Sequence, residues 1–459
     1  VNAPTPASGF IPANLPEPRY DELIHIPGMK PAKIGMLRTI KFLKDPLGHS
    51  RHMVETYGRV FRRQDFGGWG VSMIGPEANE LVMFNKDKIF SSELGWGPVL
   101  DQVFPHGLML MDFEKHRVHR KTLGVAFKPE PMRHYLGGLI DGITRGISGW
   151  PAKGEFKFYP AIKALTLDLA AASFLGVEWG PEAHKINRAF VDMVLAATGI
   201  VRTPLPFTQM RRGVKGRAFM CDFFGKEIPK RRGAKGDDIF TQIVNATDED
   251  GKALTDQEII DHMNFLMMAA HDTLTSSLTS TVYFLGKNPE WQDRLRDEIN
   301  AVKAETGGSL TYETLGKLEQ CEWVFKESLR LIPPVPSMPR RALREFTFMN
   351  HVVPAGSHVG INTMISHRLP DVWPNPDVFD PTRFSPENSK GRHKYAWVPF
   401  GGGQHMCLGL HFAYMQAKAF LFTLLADHRI EFAPGYECDF NMFPIPKPKD
   451  GLPVRIVPR

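Results

Sequence analysis

Near the C-terminal end of this 459-residue chain runs Phe400-Gly401-Gly402-Gly403-Gln404-His405-Met406-Cys407-Leu408-Gly409. Three consecutive glycines leave the backbone bare and permissive. A histidine stands two residues before the cysteine and a glycine two after it. From Leu408 to about Leu425 the pattern predicts a helix, with Leu410, Tyr414, Ala417 and Leu421 on one face. Cys407 therefore sits where a glycine-rich loop enters a helix N-terminus. Unpaired N–H groups and the helix dipole favour a thiolate there. A buried free cysteine is by itself more often packing than chemistry, so the rest of the chain has to decide.

Other residues could do chemistry in concert. His116 and Arg120, four apart on an expected helix from Glu114 to Phe127, share a face. Leu254-Thr255-Asp256-x-Glu258 predicts a helix start, with Thr255 as N-cap and Glu258 closing a capping box. That helix could run about 30 residues to Gly286, well past the usual three turns, and so crosses the centre of the protein. His271, Asp272 and Thr273 interrupt its apolar middle, Phe265 to Leu278, where polar groups are costly unless paired. Thr273 could bond back to the carbonyl of Ala269 and bend the helix. Glu327 and Arg330, three apart, share a face; such a pair is worth little if exposed.

Phe400, Gly403, His405, Cys407 and Gly409 fall at the spacing Phe-x-x-Gly-x-His-x-Cys-x-Gly, which resembles the haem-ligand signature of the cytochrome P-450 family. His116-x-x-x-Arg120 followed by Phe127 resembles the family's helix that holds a haem propionate. Ala269-Ala270-His271-Asp272-Thr273 resembles its oxygen-activating motif, with Ala270 replacing the usual glycine. Glu327-x-x-Arg330 resembles a buried pair whose third member would be Arg383. Arg340, with Arg341 as the fallback, would reach the second propionate. The resemblance implies a mainly α fold with a smaller β region, one domain over residues 1–459 with residues 1–45 as an N-terminal arm. Haem would lie between the central helix and the helix after the Cys407 loop. It implies haem b with the Cys407 thiolate as axial ligand, held also by Phe400, Gly401, His405, Gly409 and Ala269. Asp272 and Thr273 would deliver protons. The implied activity is monooxygenation of a lipophilic substrate with dioxygen and electrons from NAD(P)H. The alternatives are a peroxide-driven or non-oxygenating haem-thiolate enzyme and a non-catalytic haem-binding protein.

The elements around these residues set the limits. Hydrophobic residues make up 42% and charged residues 23%, ordinary for a globular protein. No run reaches the roughly 18 apolar residues of a membrane span, and the start, Val1 to Tyr20, carries no signal-peptide core. Cys221, Cys321, Cys407 and Cys438 form no Cys-x-x-Cys pair, which argues against zinc and against a disulfide framework, and fits a cytoplasmic setting. The net charge is +6, yet no nucleic-acid motif or long basic run is present. A docking face of Arg117, Lys121, Arg392 and Lys394 for an acidic ferredoxin, supplied by its reductase, accounts for the basicity better. The chain is expected to be a monomer of the soluble bacterial type.

Pro46 to Tyr57 predicts a helix, and Val60 to Ile74 a strand pair turning at Gly67-Gly68. Ser91 to Met111, apolar but broken by Gly95, Gly97, Pro98, Pro105 and Gly107, predicts a loop packed on something apolar. Arg202 to Arg217 is basic and proline-broken, in a region that forms a mobile lid in the resembled family; it could touch a membrane surface. Helical spacing puts Phe265 and Ala269 on the face of Thr273, with Met268 beside them. Leu100, Phe104, Val335 and Phe443 would close the pocket. No lysine or arginine is among these, which favours a neutral lipophilic ligand.

Overall fold

The computed structural model describes residues 15–459 apart from 33–34, 66–67, 178–179, 198 and 200. The first part of the expected N-terminal arm and the Gly67 turn therefore lie outside the described residues. Helices dominate, with four small sheets among the described residues.

The central helix is Asp256–Lys287, 32 residues long. It starts where expected: the Thr255 hydroxyl accepts from the Glu258 N–H, and the Glu258 carboxylate accepts from the Thr255 N–H at 2.9 Å. Most of its side chains are buried, as a helix through the middle of a large core requires. Beside it runs Phe158–Leu175, joined through Thr166 Oγ1 and Thr275 Oγ1 at 2.7 Å. This 18-residue helix has a mean hydropathy of 1.2, enough by length and composition to cross a membrane, although Lys163 and Asp168 interrupt its apolar residues. Its residues are instead spent on the core, where Ile162, Leu165, Leu169 and Phe174 are buried.

Pro181–Ala197 and Gln209–Arg231 pack against each other at a seam of small residues. A Cβ on Gly213 would lie 2.2 Å from Ala196 Cβ, and one on Gly216 would lie 2.4 Å from the Ala189 carbonyl oxygen. That close approach fixes which face of Gln209–Arg231 points outward. A five-stranded sheet runs in the order Val60–Asp65, Gly68–Met73, His358–Asn362, Ser337–Ala342, Phe90–Ser91. Its neighbours are antiparallel except for Gly68–Met73 with His358–Asn362.

Three local expectations are corrected. The helix expected over Glu114–Phe127 is α-helical only over Phe113–Leu123 and tightens to a 3-10 turn over Gly124–Phe127. Pro129 opens the next helix, Pro129–Ile147, at its first position, where a missing N–H costs nothing. Ser91–Met111 is not all loop, since Glu93–Leu100 is a helix despite its glycines and proline. Gly95 is there for contact: a Cβ would sit 2.5 Å from the Pro339 carbonyl oxygen of the neighbouring strand. The N-terminal arm holds a 3-10 turn, Tyr20–Leu23, and a helix, Gly35–Lys44, in place of irregular chain.

Candidate active site

The Cys407 loop is closed on itself. Cys407 N–H donates to the Phe400 carbonyl at 2.8 Å. Gly401 and Gly403 have φ of 71° and 59°, which disfavours other residues. Gly403 is further constrained, because a Cβ would lie 2.0 Å from the Met83 carbonyl oxygen. Phe400 anchors the loop against the rings of Trp397 and Tyr414. The following helix starts at Leu410 with Gly409 as its N-cap, two residues later than expected. Burial pushes the Cys407 thiol up, while the Gly409 N–H and the Arg120 charge pull it down. Cys407 nevertheless keeps exposed surface although the fold surrounds it.

Four basic side chains converge beside it. His116 and His405 stack with ring centroids 3.8 Å apart. Burial lowers both, helped by the charges of Arg120 and Arg340; His116 falls to about 4 and His405 goes well below its ordinary value. Strand alternation chooses between the two arginines of Ser337–Ala342: Met338, Arg340 and Ala342 face inward. Arg341 faces out and binds the carbonyls of Gly356 and Leu15. Arg340 is 7% exposed and, among the described residues, donates only to the carbonyl of its neighbour Pro339. Burial lowers it to about 10, against the raising effect of Asp112. Among the described ion pairs neither Arg120 nor Arg340 has a carboxylate partner. Two guanidiniums and two imidazoles with so little counter-charge form a cradle for a dianion.

Among the described residues Asp112 is the acid that faces this cradle, and it was not singled out in the sequence. Its carboxylate accepts from the Ser92 and Glu93 N–H groups at 2.7 and 3.3 Å and lies 3.9 Å from His405 Nε2. It ties the start of Glu93–Leu100 to the cradle. Its position as N-cap of Phe113–Leu123 was the available signal, had that helix been started one residue earlier.

In the middle of the central helix Met268, Ala269, Ala270 and Thr273 keep accessible surface within a run of buried residues. Thr273 Oγ1 donates back to the Ala269 carbonyl at 2.7 Å. Asp272 turns the other way, its Oδ1 3.3 Å from Lys163 Nζ and 3.1 Å from His271 Nδ1. Burial raises its pKa, but His271 and Lys163 outweigh it and bring it to about 2. His271 points toward the Phe158–Leu175 side, with Nε2 3.4 Å from the Lys163 carbonyl and its ring edge-on to Phe190. Lys163, on a distant stretch of sequence, had no local signal.

Glu327 and Arg330 are both fully buried and paired bidentately at 2.7 and 2.8 Å. Arg383 Nε lies 3.4 Å from the same carboxylate. Arg330 also donates to the carbonyls of His367, Pro376 and Val378.

Of the expected pocket residues, Leu100, Phe104 and Phe265 are buried in the main core, with Met268 and Ala269 partly buried against it. Gly107 presses on this group: a Cβ would lie 2.5 Å from the Phe265 ring. Of the other two expected wall residues, Val335 is partly buried against the core under the five-stranded sheet, and Phe443 meets Phe42 of the N-terminal helix at 5.3 Å. The proposed cationic docking face is also revised. Arg117 and Lys121 both pair with Glu249. Arg392 stacks over Trp373 and donates to the carbonyls of Arg383 and Asn388. Neither Arg392 nor Lys394, which lies over the Tyr395 ring, has a carboxylate partner among the described residues.

A buried dianion cradle beside a thiol at a helix N-terminus suits a haem with two propionates, so the donor set fits. Comparison with known proteins agrees. The sequence model of the family described as Cytochrome P450 matches residues 182–450. Cytochrome P450 136 of Mycobacterium tuberculosis is 38% identical over 397 residues, covering 85% of this chain and 80% of that protein. The beta-amyrin 28-monooxygenase of Solanum lycopersicum is 30% identical over 412 residues, covering 87% and 84%. The solved structure titled retinoic acid bound cyanobacterial CYP120A1 superimposes with a TM-score of 0.86 at 28% identity, covering 97% of this chain and all of that one. Fold, cradle and sequence converge: the chain belongs to the cytochrome P450 family, haem-thiolate monooxygenases that incorporate oxygen from dioxygen.

Proposed function

We propose that this enzyme hydroxylates a lipophilic, isoprenoid-like substrate, with Cys407 as the haem ligand. The observation that carries the assignment is the buried cradle of Arg120, Arg340, His116 and His405 beside the Cys407 sulfur. Bound haem would supply dioxygen activation, with the Cys407 thiolate as the ligand that tunes it. The chain does the rest. Arg120, Arg340, His116 and His405 would hold the two propionates. Gly401 and Gly403 let the loop backbone approach closely, and Phe400 braces it. The Gly409 N–H and the positive end of Leu410–Asp427 favour the charged form of the sulfur.

In the central helix Thr273 offers a hydroxyl next to accessible Ala269 and Ala270. Asp272 and Lys163 move protons: Lys163 is partly exposed and joins the buried carboxylate to solvent. Leu100, Phe104, Phe265, Met268 and Ala269 bind the substrate and exclude water. Apolar walls and the ligands named for the relatives, retinoic acid and beta-amyrin, both support the isoprenoid class. Electrons from NAD(P)H enter through a ferredoxin and its reductase. With three of the four expected cations engaged within the chain, that transfer should depend only weakly on salt.

The test is the carbon-monoxide difference spectrum of the reduced protein. A thiolate-haem band that disappears in Cys407→Ser supports the assignment, and a band that survives the substitution refutes it. Titrating the ferric protein with retinoids, triterpenoids and, as controls, polar acids then tests the class through Soret shifts. Shifts with the polar acids alone would refute an isoprenoid substrate.

A further inference from the structure

Asp112 stands at the N-cap of Phe113–Leu123, where an aspartate ordinarily accepts from the N–H groups of its own first turn. Here it makes no such bond. Its carboxylate turns back to a different helix. The Ser91 hydroxyl donates to it at 2.5 Å, and the Ser92 and Glu93 N–H groups donate at 2.7 and 3.3 Å. The Leu94 N–H reaches it indirectly, donating to the Ser91 hydroxyl at 3.0 Å. Asp112 thus acts as a remote cap of Glu93–Leu100, taking up N–H groups that a helix start leaves unpaired and facing the positive end of the helix dipole. The backbone bends to allow this. Phe113, the next residue, is buried with a φ of +51°, a left-handed conformation unfavourable for an aromatic residue. Neither the missing cap nor the strained residue benefits Phe113–Leu123 itself.

The same carboxylate faces the cradle. Its Oδ1 lies 3.9 Å from His405 Nε2, and Arg340 is close enough for the two charges to act on each other. Glu93–Leu100 in turn rests on the strand of Arg340, since a Cβ on Gly95 would lie 2.7 Å from the Arg340 Cα. Charge counting shows why the carboxylate must be held off. Burial keeps His116 and His405 neutral. Two guanidiniums then match two propionates, and an ionised Asp112 is a third negative charge with no cradle cation left for it. The donors from Ser91, Ser92 and Glu93 satisfy it instead.

We propose that Asp112 is a positioning residue that couples the pocket helix Glu93–Leu100 to the haem edge. With that helix docked, its N–H groups hold the Asp112 carboxylate off the cradle, and Arg340 and His405 are free for the propionates. When the helix lifts, the carboxylate loses the Ser92 and Glu93 donors and turns to Arg340 and His405, in competition with the propionates. A ligand that packs on Leu100 and keeps the helix down therefore tightens the hold on haem, and haem favours the ligand in return. The link to ligand rests on the reading of Leu100 as a pocket wall; the competition for the cradle does not.

The experiment follows haem transfer from the substrate-free holoprotein to apomyoglobin. Asp112→Asn keeps the shape and one acceptor oxygen but has no charge with which to compete for Arg340, so haem loss should slow about fivefold or more. Loss of a residue that merely supported the fold would speed it. Ser91→Ala removes a donor without touching the cradle. It should speed haem loss, and adding Asp112→Asn should cancel that effect. Retinoic acid, at a concentration that saturates its Soret shift, should slow haem loss from the parent and not from Asp112→Asn. The proposal is overturned by equal or faster haem loss from Asp112→Asn, or by failure of that variant to keep haem and its carbon-monoxide band. A Ser91→Ala effect that survives in the double variant, or equal protection of parent and Asp112→Asn by retinoic acid, has the same meaning. A parent that gives no Soret shift with retinoids or triterpenoids refutes the substrate class alone, and the transfer rates without ligand still decide the role of Asp112.

Discussion

Asp272 is pulled in opposite directions. Burial disfavours its charge, and His271 and Lys163 restore it, leaving the carboxyl at about 2, below its ordinary value of 3.8. The sign follows from which state takes the proton first. As pH falls, the unfolded chain protonates this group near its ordinary value, while the folded chain holds it ionised to about 2. The contribution to stability is complete above the ordinary value and is lost as pH falls from there toward 2. Asp272→Asn should therefore show a shallower loss of stability over that range, read by urea unfolding at a series of pH values. The same substitution breaks the link between Lys163 and the interior, and turnover should drop roughly a hundredfold with the carbon-monoxide spectrum intact. Loss of the spectrum would mean that Asp272 holds the fold and not the proton path.

Elements meet at two contacts that carry separate consequences. Gly107 lies against Phe265 so closely that a methyl group has no room. Gly107→Ala should cost about 1–3 kcal/mol and weaken spectral binding of a large substrate, while a second change, Phe265→Leu, should recover part of both. The other contact joins Phe113–Leu123, which carries His116 and Arg120, to the central helix. His119 Nδ1 lies 2.8 Å from His262 Nε2, with His119 Nε2 3.6 Å from Glu258. Burial, then His119 and Lys115, lower His262 to about 3. This base stays neutral in the folded state while the unfolded chain takes up a proton near the ordinary 6.5, so its stability term is present above 6.5 and is lost as pH falls toward 3. Replacing His262 with Leu should flatten the pH dependence of unfolding below 6.5 by up to about 1.4 kcal/mol per pH unit. It should also lower stability at neutral pH, since His119 loses its partner.

At the scale of the whole molecule, the Glu327, Arg330 and Arg383 group ties Glu319–Leu331 to the irregular chain before the Cys407 loop. Burial pushes Glu327 up, against the pull of Arg330. Removing one partner leaves a buried charge, so Arg330→Met should cost about 3–5 kcal/mol and release haem on heating before the main unfolding transition. Combining it with Glu327→Met should recover a substantial part of that loss in a thermal melt. A double variant no better than the single one would show that the carbonyl bonds of Arg330 to His367, Pro376 and Val378 matter more than the ion pair.

What was legible in the sequence is what neighbouring residues settle among themselves. The Thr255–Glu258 capping box, the shared face of His116 and Arg120, the back-bond of Thr273 and the glycine loop before Cys407 are all set within a few residues, where helix and turn geometry leave little choice. The inward aim of Arg340 follows from strand alternation once its strand is placed. Tertiary structure decided the rest, because the partners are far apart in the chain. Lys163 meets Asp272 across 109 residues, and Glu249 neutralises Arg117 across 132. No local pattern encodes such pairings, and they changed the reading of both the proton path and the docking face. Packing also overrode propensity at Glu93–Leu100, where Gly95 is needed for its lack of a side chain and not for a turn. By itself the sequence determined the chemistry, through a cysteine held by its own loop. Only the fold decided which charges remain unmatched around it, because burial and counter-charge are properties of three-dimensional neighbours.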